Sequence, residues 1–463
     1  MPLHLTEGET IAAIATPPGV GGIGIVRLSG PQSRDILARL FTPRCSRSDF
    51  PSHLLLHGTV HTPQGLPLDE VLAVFMRAPH SYTREDVVEF QCHGGFQVVQ
   101  AVLRAVLEAG ARLALPGEFT RRAFLNGRLD LTQAEAVIDL IEARGGIGAR
   151  MALAQLQGRL GQELESIRQA LLGLLAQAEV AIDFPDEEQE IMSPSAAIAV
   201  LEQEVLAPLA RLLAQADSGR LCRDGAEVVI AGRPNVGKSS LLNALLREER
   251  ALVTPVAGTT RDTIEEYLLI EGLPVRLVDT AGLRDEAGII EELGIQRARR
   301  KATEADLVLL LIDGSVPPCD EDFRIRDELA GRPQLLVCNK ADLPAAGSDE
   351  DYAVLFPGLS LLRISAREQS GLEALRRAIF SRLVQDRNLD PEGDCAPNLR
   401  HRQALEQALR EGRALAAALA DGLTVDLVAL ELRLVLASLD EVLGSGADED
   451  VLDTIFSRFC LGK

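Results

Sequence analysis

The sequence predicts a multidomain chain: an α+β N-terminal domain, then an α-helical central domain split by an inserted α/β P-loop domain. Three observations carry this prediction. Strand-like runs separated by turns fill the chain from about Glu9 to Arg122. Apolar stripes at three- and four-residue steps lie on both sides of a central module. That module opens on VVIAGRPNVGKSS, Val228 to Ser240, and then alternates strands with helices. The domain boundaries read as 1–125, then 126–222 together with 386–463, with 223–385 inserted.

Size and composition agree with several globular domains. A chain of 463 residues exceeds what one core serves, and 46% hydrophobic with 25% charged residues is ordinary for a globular protein. The 7 cysteines are odd in number and contain no C-x-x-C pair, which argues against a disulfide framework or a zinc module and fits a reducing cytoplasm. The N-terminal MPLHLTEGETIAAIATPPG has no basic stretch followed by an apolar core, and no apolar run approaches the ~20 residues that span a bilayer. The chain is therefore expected to be cytoplasmic without integral membrane association. A formal net charge of −21 opposes bulk adhesion to polyanions, so any nucleic-acid substrate must be held by local basic patches or by a partner.

In the N-terminal domain, ETIAAIAT, GIGIVRLSG, DEVLAVFM and DVVEFQCHGG read as strands, and GGFQVVQAVLRAVLEAG reads as a helix. Gly19, Gly21 and Gly24 match G-x-G-x-x-G, but strand-like IVRLSG follows where the dinucleotide fingerprint needs a helix. A glycine-rich turn is the better reading. His53, His57 and His61 fall four apart, which on a helix would align them for a metal. Gly58, Thr59 and Val60 lie among them, so the segment reads as strand and turn.

Helical periodicity takes over from about Leu129. Leu160, Leu164, Ile167, Leu171 and Leu174 make a long stripe that ends in AIDFPDEEQE, where Pro185 and the acidic run mark a break. A second helical stretch runs from about Ala197 to Ala216. Beyond the inserted module, Val428, Leu432, Val435, Leu439 and Val442 form another stripe. The two stripes are read as core-facing surfaces that pack on each other.

Within the module, EVVIAG, EYLLI, VRLVDT, ADLVLLLID, PQLLVCNK and LLRISA are the strand candidates of a mostly parallel, doubly wound sheet. Gly232 and Gly237 bracket a phosphate-binding loop closed by Lys238 and Ser239. Its backbone N–H groups turn inward, the lysine supplies a point charge and the serine hydroxyl is placed for Mg²⁺. Asp279-Thr280-Ala281-Gly282 follows a strand, as a Walker B carboxylate and γ-phosphate sensor should. Thr259 and Thr260 lie in a loop where a threonine completes the Mg²⁺ shell. Asn339-Lys340-Ala341-Asp342 follows QLLVC, where a carboxylate accepts the guanine N1–H and N2 donors, and Ser365-Ala366 completes the base pocket. Five motifs in order at strand ends predict a P-loop GTPase domain. Leu283 stands where Ras-like proteins carry the water-positioning glutamine, so hydrolysis must recruit another group, and Asp285, Glu286, Glu291 and Glu292 are the nearest carboxylates. Without further information that acidic stretch reads as a solvated loop.

GRPNVGKSS, AGTTRD and DTAGLR, together with AIDFPDEE, PGEFTRRAFLNGRLDLTQAEA and the terminal CLGK, the last two being the more discriminating, carry a resemblance that extends over essentially the whole chain: it resembles the MnmE (TrmE) tRNA modification GTPases. The resemblance implies a tetrahydrofolate-binding and dimerisation domain at the N-terminus and GTP hydrolysis activated by K⁺-dependent G-domain dimerisation. Nucleotide contacts then fall on Asn235, Val236, Gly237, Lys238, Ser239 and Ser240, on Thr254, Gly258, Thr259 and Thr260, and on Asp279 and Gly282. The base contacts are Asn339, Lys340, Asp342, Ser365 and Ala366. Mg²⁺ is implied at Ser239 and Thr260, K⁺ at Asn235, Thr254, Val256 and Thr259, and the catalytic role at Glu291, acting through water. Pro255 stands where the family usually has an acidic residue.

For the folate, 5-formyl- or 5,10-methylene-tetrahydrofolate, the implied contacts are Arg27, Glu89, Arg128 and Lys463. Arg128 takes a place that is often lysine in the family, which keeps the charge and changes the geometry. The implied activity is modification of carbon 5 of the tRNA wobble uridine, of the aminomethyl or carboxymethylaminomethyl type. It requires a homodimer and an FAD-dependent MnmG-like partner in a heterotetramer. Cys460 is open to a thiol role and to a structural one. The competing reading is a ribosome-assembly switch resembling Era or Der. It would call for a basic RNA-binding tail or a second G domain, and the sequence has neither.

Overall fold

The computed structural model describes residues 8–45, 49–184, 191–248, 267–279, 305–384, 395, 397–445 and 448–463. The chain divides into two compact units. One comprises Met1–Ile138, Leu156–Ala176 and Ala429–Lys463; the other comprises Asp139–Gln155 and Gln177–Val428.

The first unit is built on a sheet of β1 (Ile11–Ile14), β2 (Ile23–Ser29), β3 (Phe41–Pro43), β4 (Leu55–His61), β5 (Pro67–Met76), β6 (Val87–His93) and β7 (Arg112–Leu113), in the order β3-β4-β5-β6-β2-β1-β7. Every pair is antiparallel except β1 with β7. The period-2 alternation expected of half-buried strands is visible in β2, where Val26 and Leu28 are buried and Arg27 between them is not. The predicted helix is present as Phe96–Glu108. It lays Val99, Val102, Leu103 and Val106 onto the sheet at the i, i+3, i+4, i+7 positions of one face. Each such side chain, fully buried, contributes about 1.5–3 kcal/mol relative to exposure.

Gly19, Gly21 and Gly22 lie in an irregular, bent segment that leads into β2, and Gly24 is already the second residue of that strand, so no helix opens on the run. His57 and His61 lie on β4, while His53 sits in a turn with φ +63. At the other end of the chain the helix Glu449–Phe456 joins the helix Leu131–Glu142 through a cluster of Leu131, Ala134, Val137, Leu452, Phe456 and Phe459. Arg121, on the helix Glu118–Leu125, pairs with Asp453 at 2.5 Å.

In the second unit β8 (Ala226–Ala231), β9 (Tyr267–Ile270), β10 (Leu273–Asp279), β11 (Leu307–Asp313), β12 (Gln334–Asn339) and β13 (Leu361–Arg363) form a sheet of order β13-β12-β11-β8-β10-β9. The pairs are parallel except the β9–β10 hairpin. β11 reads LVLLLID and is buried along nearly its whole length. A strand covered on both faces shows such a continuous apolar run instead of alternation. All six strand candidates of the inserted module are therefore present.

The long stripe around Leu164 is the helix Arg159–Asp183, and the late stripe is the helix Val425–Leu443 with Val428, Leu432, Val435, Leu439 and Val442 buried. Arg168 Nε donates to Asp440 at 2.9 Å between them. The stretch expected at Ala197–Ala216 is longer. It comprises helices Pro194–Val200 and Ala207–Asp224 joined by a π-helical turn, Leu201–Leu206, which no sequence period announces. Among the described residues, no helix is long and apolar enough to cross a membrane.

Candidate functional site

In the second unit, β8 leads through residues 232–237 into the helix Lys238–Glu248, so the loop sits at the carboxyl end of the sheet with Ser239 and Ser240 exposed in the first helical turn. Asn235 takes the left-handed conformation, φ +64, which asparagine tolerates better than most residues. Asp279 closes β10 and is registered opposite Ile230 of β8, one strand over from the loop.

Asn339, the last residue of β12, holds the loop from below. Its Nδ2 donates to the Val236 carbonyl at 2.8 Å, and its Oδ1 accepts from the Ala366 N–H at 3.0 Å. One buried side chain thus ties the phosphate loop to the predicted base loop. It also explains Gly237: a Cβ there would stand 2.3 Å from Asn339 Nδ2, and φ is +101. Lys238 Nζ donates to the Gly232 and Arg233 carbonyls at 2.9 and 2.8 Å, within the loop it is meant to serve. Arg233 in turn is held by the buried Asp322 at 2.8 Å. Asp322 was not foreseen; its signal is the acidic first turn of the helix Asp320–Glu328.

The exposed Asp342 is oriented by Ser365, whose hydroxyl donates to Oδ1 at 2.6 Å and accepts from the Glu368 N–H at 3.1 Å. That hydrogen bond holds the Asp342 carboxyl below its ordinary range, so the group is an acceptor at neutral pH. Asn339, Lys340, Asp342, Ser365 and Ala366 are thereby brought together with Val236, Gly237 and Lys238. Thr254, Val256, Gly258, Thr259, Thr260, Gly282, Leu283 and Glu291 lie outside the described residues.

The first unit holds a separate cluster. Arg27 of β2 and Glu89 of β6 are directly opposed in register, and Arg27 Nε meets Glu89 Oε1 at 2.7 Å. The Arg27 guanidinium also lies 5.7 Å from the Tyr82 ring centroid and 5.8 Å from that of Phe119, and its Nη1 reaches the Gly462 carbonyl at 3.4 Å. Arg128 lies over the same Tyr82 ring at 4.9 Å and donates to the Ser81 carbonyl at 3.2 Å. The Tyr82 hydroxyl is paired with Thr120 Oγ1 at 2.8 Å, and burial pushes its pKa up. Lys463 completes the group. Burial lowers its ammonium pKa, Arg27 adds to the effect, and Glu89 and Cys460 oppose it.

All four residues predicted for the folate, Arg27, Glu89, Arg128 and Lys463, are therefore neighbours. Tyr82 was missed: a lone aromatic in HSYTRED carries no period to mark it. Three cations beside Glu89, with the two aromatic faces of Tyr82 and Phe119, suit a planar ligand that carries negative charge. Cys460 is exposed and reduced.

Residues 10–128 match the family model for the GTP-binding protein TrmE N-terminus, and residues 131–460 match that for the MnmE helical domain. A protein of Desulfotalea psychrophila named tRNA modification GTPase MnmE is 50% identical, covering 100% of this chain and 100% of its own length. The protein of the same name from Geobacter sulfurreducens is 48% identical over 98% of this chain and 99% of its own. A solved structure of Aquifex aeolicus Era bound to GDP and aluminium fluoride shares 25% identity over 40% of this chain and 66% of that chain. Its TM-score of 0.28 is too low to bear on function. With full-length identity at this level and both family models matched in order, the chain belongs to the MnmE family of tRNA modification GTPases.

Proposed function

We propose that this chain hydrolyses GTP and, with an FAD-dependent MnmG-like partner, modifies carbon 5 of the tRNA wobble uridine using a folate-derived one-carbon unit. The proposed organisation is an N-terminal folate-binding and dimerisation domain at 1–125, a helical domain at 126–222 and 386–463, and a G domain inserted at 223–385. The observation that carries the nucleotide half is the Asn339 staple beside an Asp342 carboxylate aligned by Ser365. A fixed, ionised acceptor at that place accepts the paired donors of guanine and repels the adenine edge, which offers no such pair.

Asn235 and Ser239 fit the implied cations, since an exposed left-handed asparagine and a serine in the first helical turn present oxygens beside the phosphate loop. We place K⁺ on Asn235, Thr254, Val256 and Thr259, and Mg²⁺ on Ser239 and Thr260. A monovalent cation there supplies the charge neutralisation that an arginine finger gives elsewhere. Glu291 takes the water-directing role that Leu283 leaves open. Arg27, Arg128 and Lys463 bind the anionic parts of the folate, and Glu89 holds Arg27 in place. The folate supplies the one-carbon unit, whereas GTP hydrolysis forms no carbon bond and drives opening and closing of paired G domains. The protein works as a cytoplasmic homodimer that meets tRNA in complex with its partner.

The test is mass spectrometry of wobble uridines from cells lacking this protein, with and without a complementing copy. Loss of the carbon-5 group, restored by the complementing copy, is expected. Unchanged wobble uridines in the deletion strain, with ribosome assembly impaired instead, would favour the Era-like reading.

A further inference from the structure

We infer that Asp313 is a positioning residue for guanine recognition, acting through Lys340 without touching the nucleotide. The inference rests on the GTP-binding reading above. Asp313 ends β11 and is registered directly opposite Asn339, the residue that ends β12. Its Oδ2 accepts from Lys340 Nζ at 2.6 Å, and its Oδ1 accepts from the Ser315 N–H at 3.0 Å and the Ser315 hydroxyl at 2.6 Å. Both oxygens are thus committed within the protein.

Lys340 holds a left-handed backbone, φ +65, a conformation that costs a non-glycine residue of order 1–3 kcal/mol and persists only where its surroundings enforce it. The turn is held by the Leu343 N–H on the Lys340 carbonyl at 3.0 Å and the Ala341 N–H on the Ile364 carbonyl at 3.0 Å, and the pair with Asp313 fixes the side chain within it, between the two residues proposed to read the site. Asn339 precedes Lys340 and binds the phosphate loop; Asp342 follows two residues later and presents its carboxylate. The backbone beneath is tied in as well, with Gly314 N–H donating to the Asn339 carbonyl at 2.8 Å and Ala346 N–H to the Gly314 carbonyl at 2.9 Å. Burial pushes the Asp313 carboxyl up, but Lys340 and Ser315 outweigh it and keep the group low, so Asp313 stays a carboxylate across the physiological range. Asp313 therefore decides where Asp342 stands relative to the guanine amine.

The experiment is displacement of fluorescent methylanthraniloyl-GDP from the full chain by GDP and by IDP, which lacks the exocyclic amine that Asp342 is placed to read. Asp313→Asn keeps shape and removes charge. It is expected to weaken GDP binding about tenfold, the loss of one charge-assisted hydrogen bond, while weakening IDP binding less, so that the GDP-to-IDP preference falls. Asp313→Glu is expected to restore most of the preference. Ser315→Ala, which removes one donor and leaves the charge, is expected to shift the preference in the same direction by a smaller factor. A folded Asp313→Asn protein with unchanged GDP affinity, or with GDP and IDP weakened equally, overturns the inference. Failure of the unsubstituted protein to bind GDP would overturn the GTP reading instead.

Discussion

The Gly462 backbone lies so close to Ile14 that a Cβ on the glycine would stand 2.3 Å from the Ile14 carbonyl oxygen. With φ at +92 as well, the residue before the chain end is confined to glycine by both conformation and contact. Its own carbonyl meets Arg27, which brings Lys463 to the Arg27–Glu89 pair.

Gly462→Ala is accordingly expected to displace the last two residues and weaken 5-formyltetrahydrofolate binding by about tenfold or more, while GDP affinity stays within about twofold. Titration calorimetry with each ligand reads both numbers. Equal folate affinity in the variant removes the C-terminal tail from the site.

Gly237→Ala is expected to abolish nucleotide binding. The new methyl would collide with Asn339 Nδ2 at 2.3 Å, in a conformation that alanine rarely adopts, so either the phosphate loop or the Asn339 staple must move. Fluorescent GDP binding measures the loss, and circular dichroism shows whether the sheet survives. Tight binding in the variant contradicts the staple.

Glu118 is buried to 1% side-chain exposure between Arg112 at 2.7 Å and Arg122 at 3.0 Å. Burial pushes its carboxyl up, but the Arg112 hydrogen bond, the Leu115 N–H and the charge of Arg122 together bring it below its ordinary value. A folded-state pKa below the unfolded one adds stability that is complete above about pH 4.3 and disappears as pH falls through the folded value. Glu118→Gln is therefore expected to cost about 1.5–3 kcal/mol in urea unfolding at pH 7, since it weakens charge-assisted hydrogen bonds while Arg112 keeps Glu9 and Arg122 keeps Glu85. The gap to the unsubstituted protein should close as the pH is lowered below about 4. A gap independent of pH contradicts the charge-based account.

Replacing K⁺ with Na⁺ is expected to slow GTP turnover by about tenfold or more with GDP binding unaltered, and Glu291→Ala is expected to abolish turnover without loss of binding. Phosphate release measured in the two salts and in the variant tests both. Equal rates in K⁺ and Na⁺ return Asn235 to a purely conformational role.

Much of the proposed nucleotide site was legible because its motifs are local. The loop from Gly232 to Ser239 and the Asn339-to-Asp342 turn are each written within a few residues, at the ends of strands that apolar runs mark plainly. Asp313 and Asp322 were not legible. Each is an ordinary acidic residue at an element boundary whose cationic partner lies elsewhere in the chain: Asp313 meets Lys340, and Asp322 meets Arg233. Tyr82 escaped for the same reason.

By itself the sequence determined most strands of the two sheets, the helical stripes and the guanine-nucleotide motifs, because strand and helix periods and loop motifs are written in neighbouring residues; the strands Phe41–Pro43 and Arg112–Leu113 are too short to show a period. Tertiary structure alone decided which distant residues meet. Arg27 and Gly462 are 435 positions apart and Arg27 and Glu89 are 62 apart. The strand register that opposes Arg27 to Glu89, and the space that admits only a glycine beside Ile14, follow from packing, which no local pattern records.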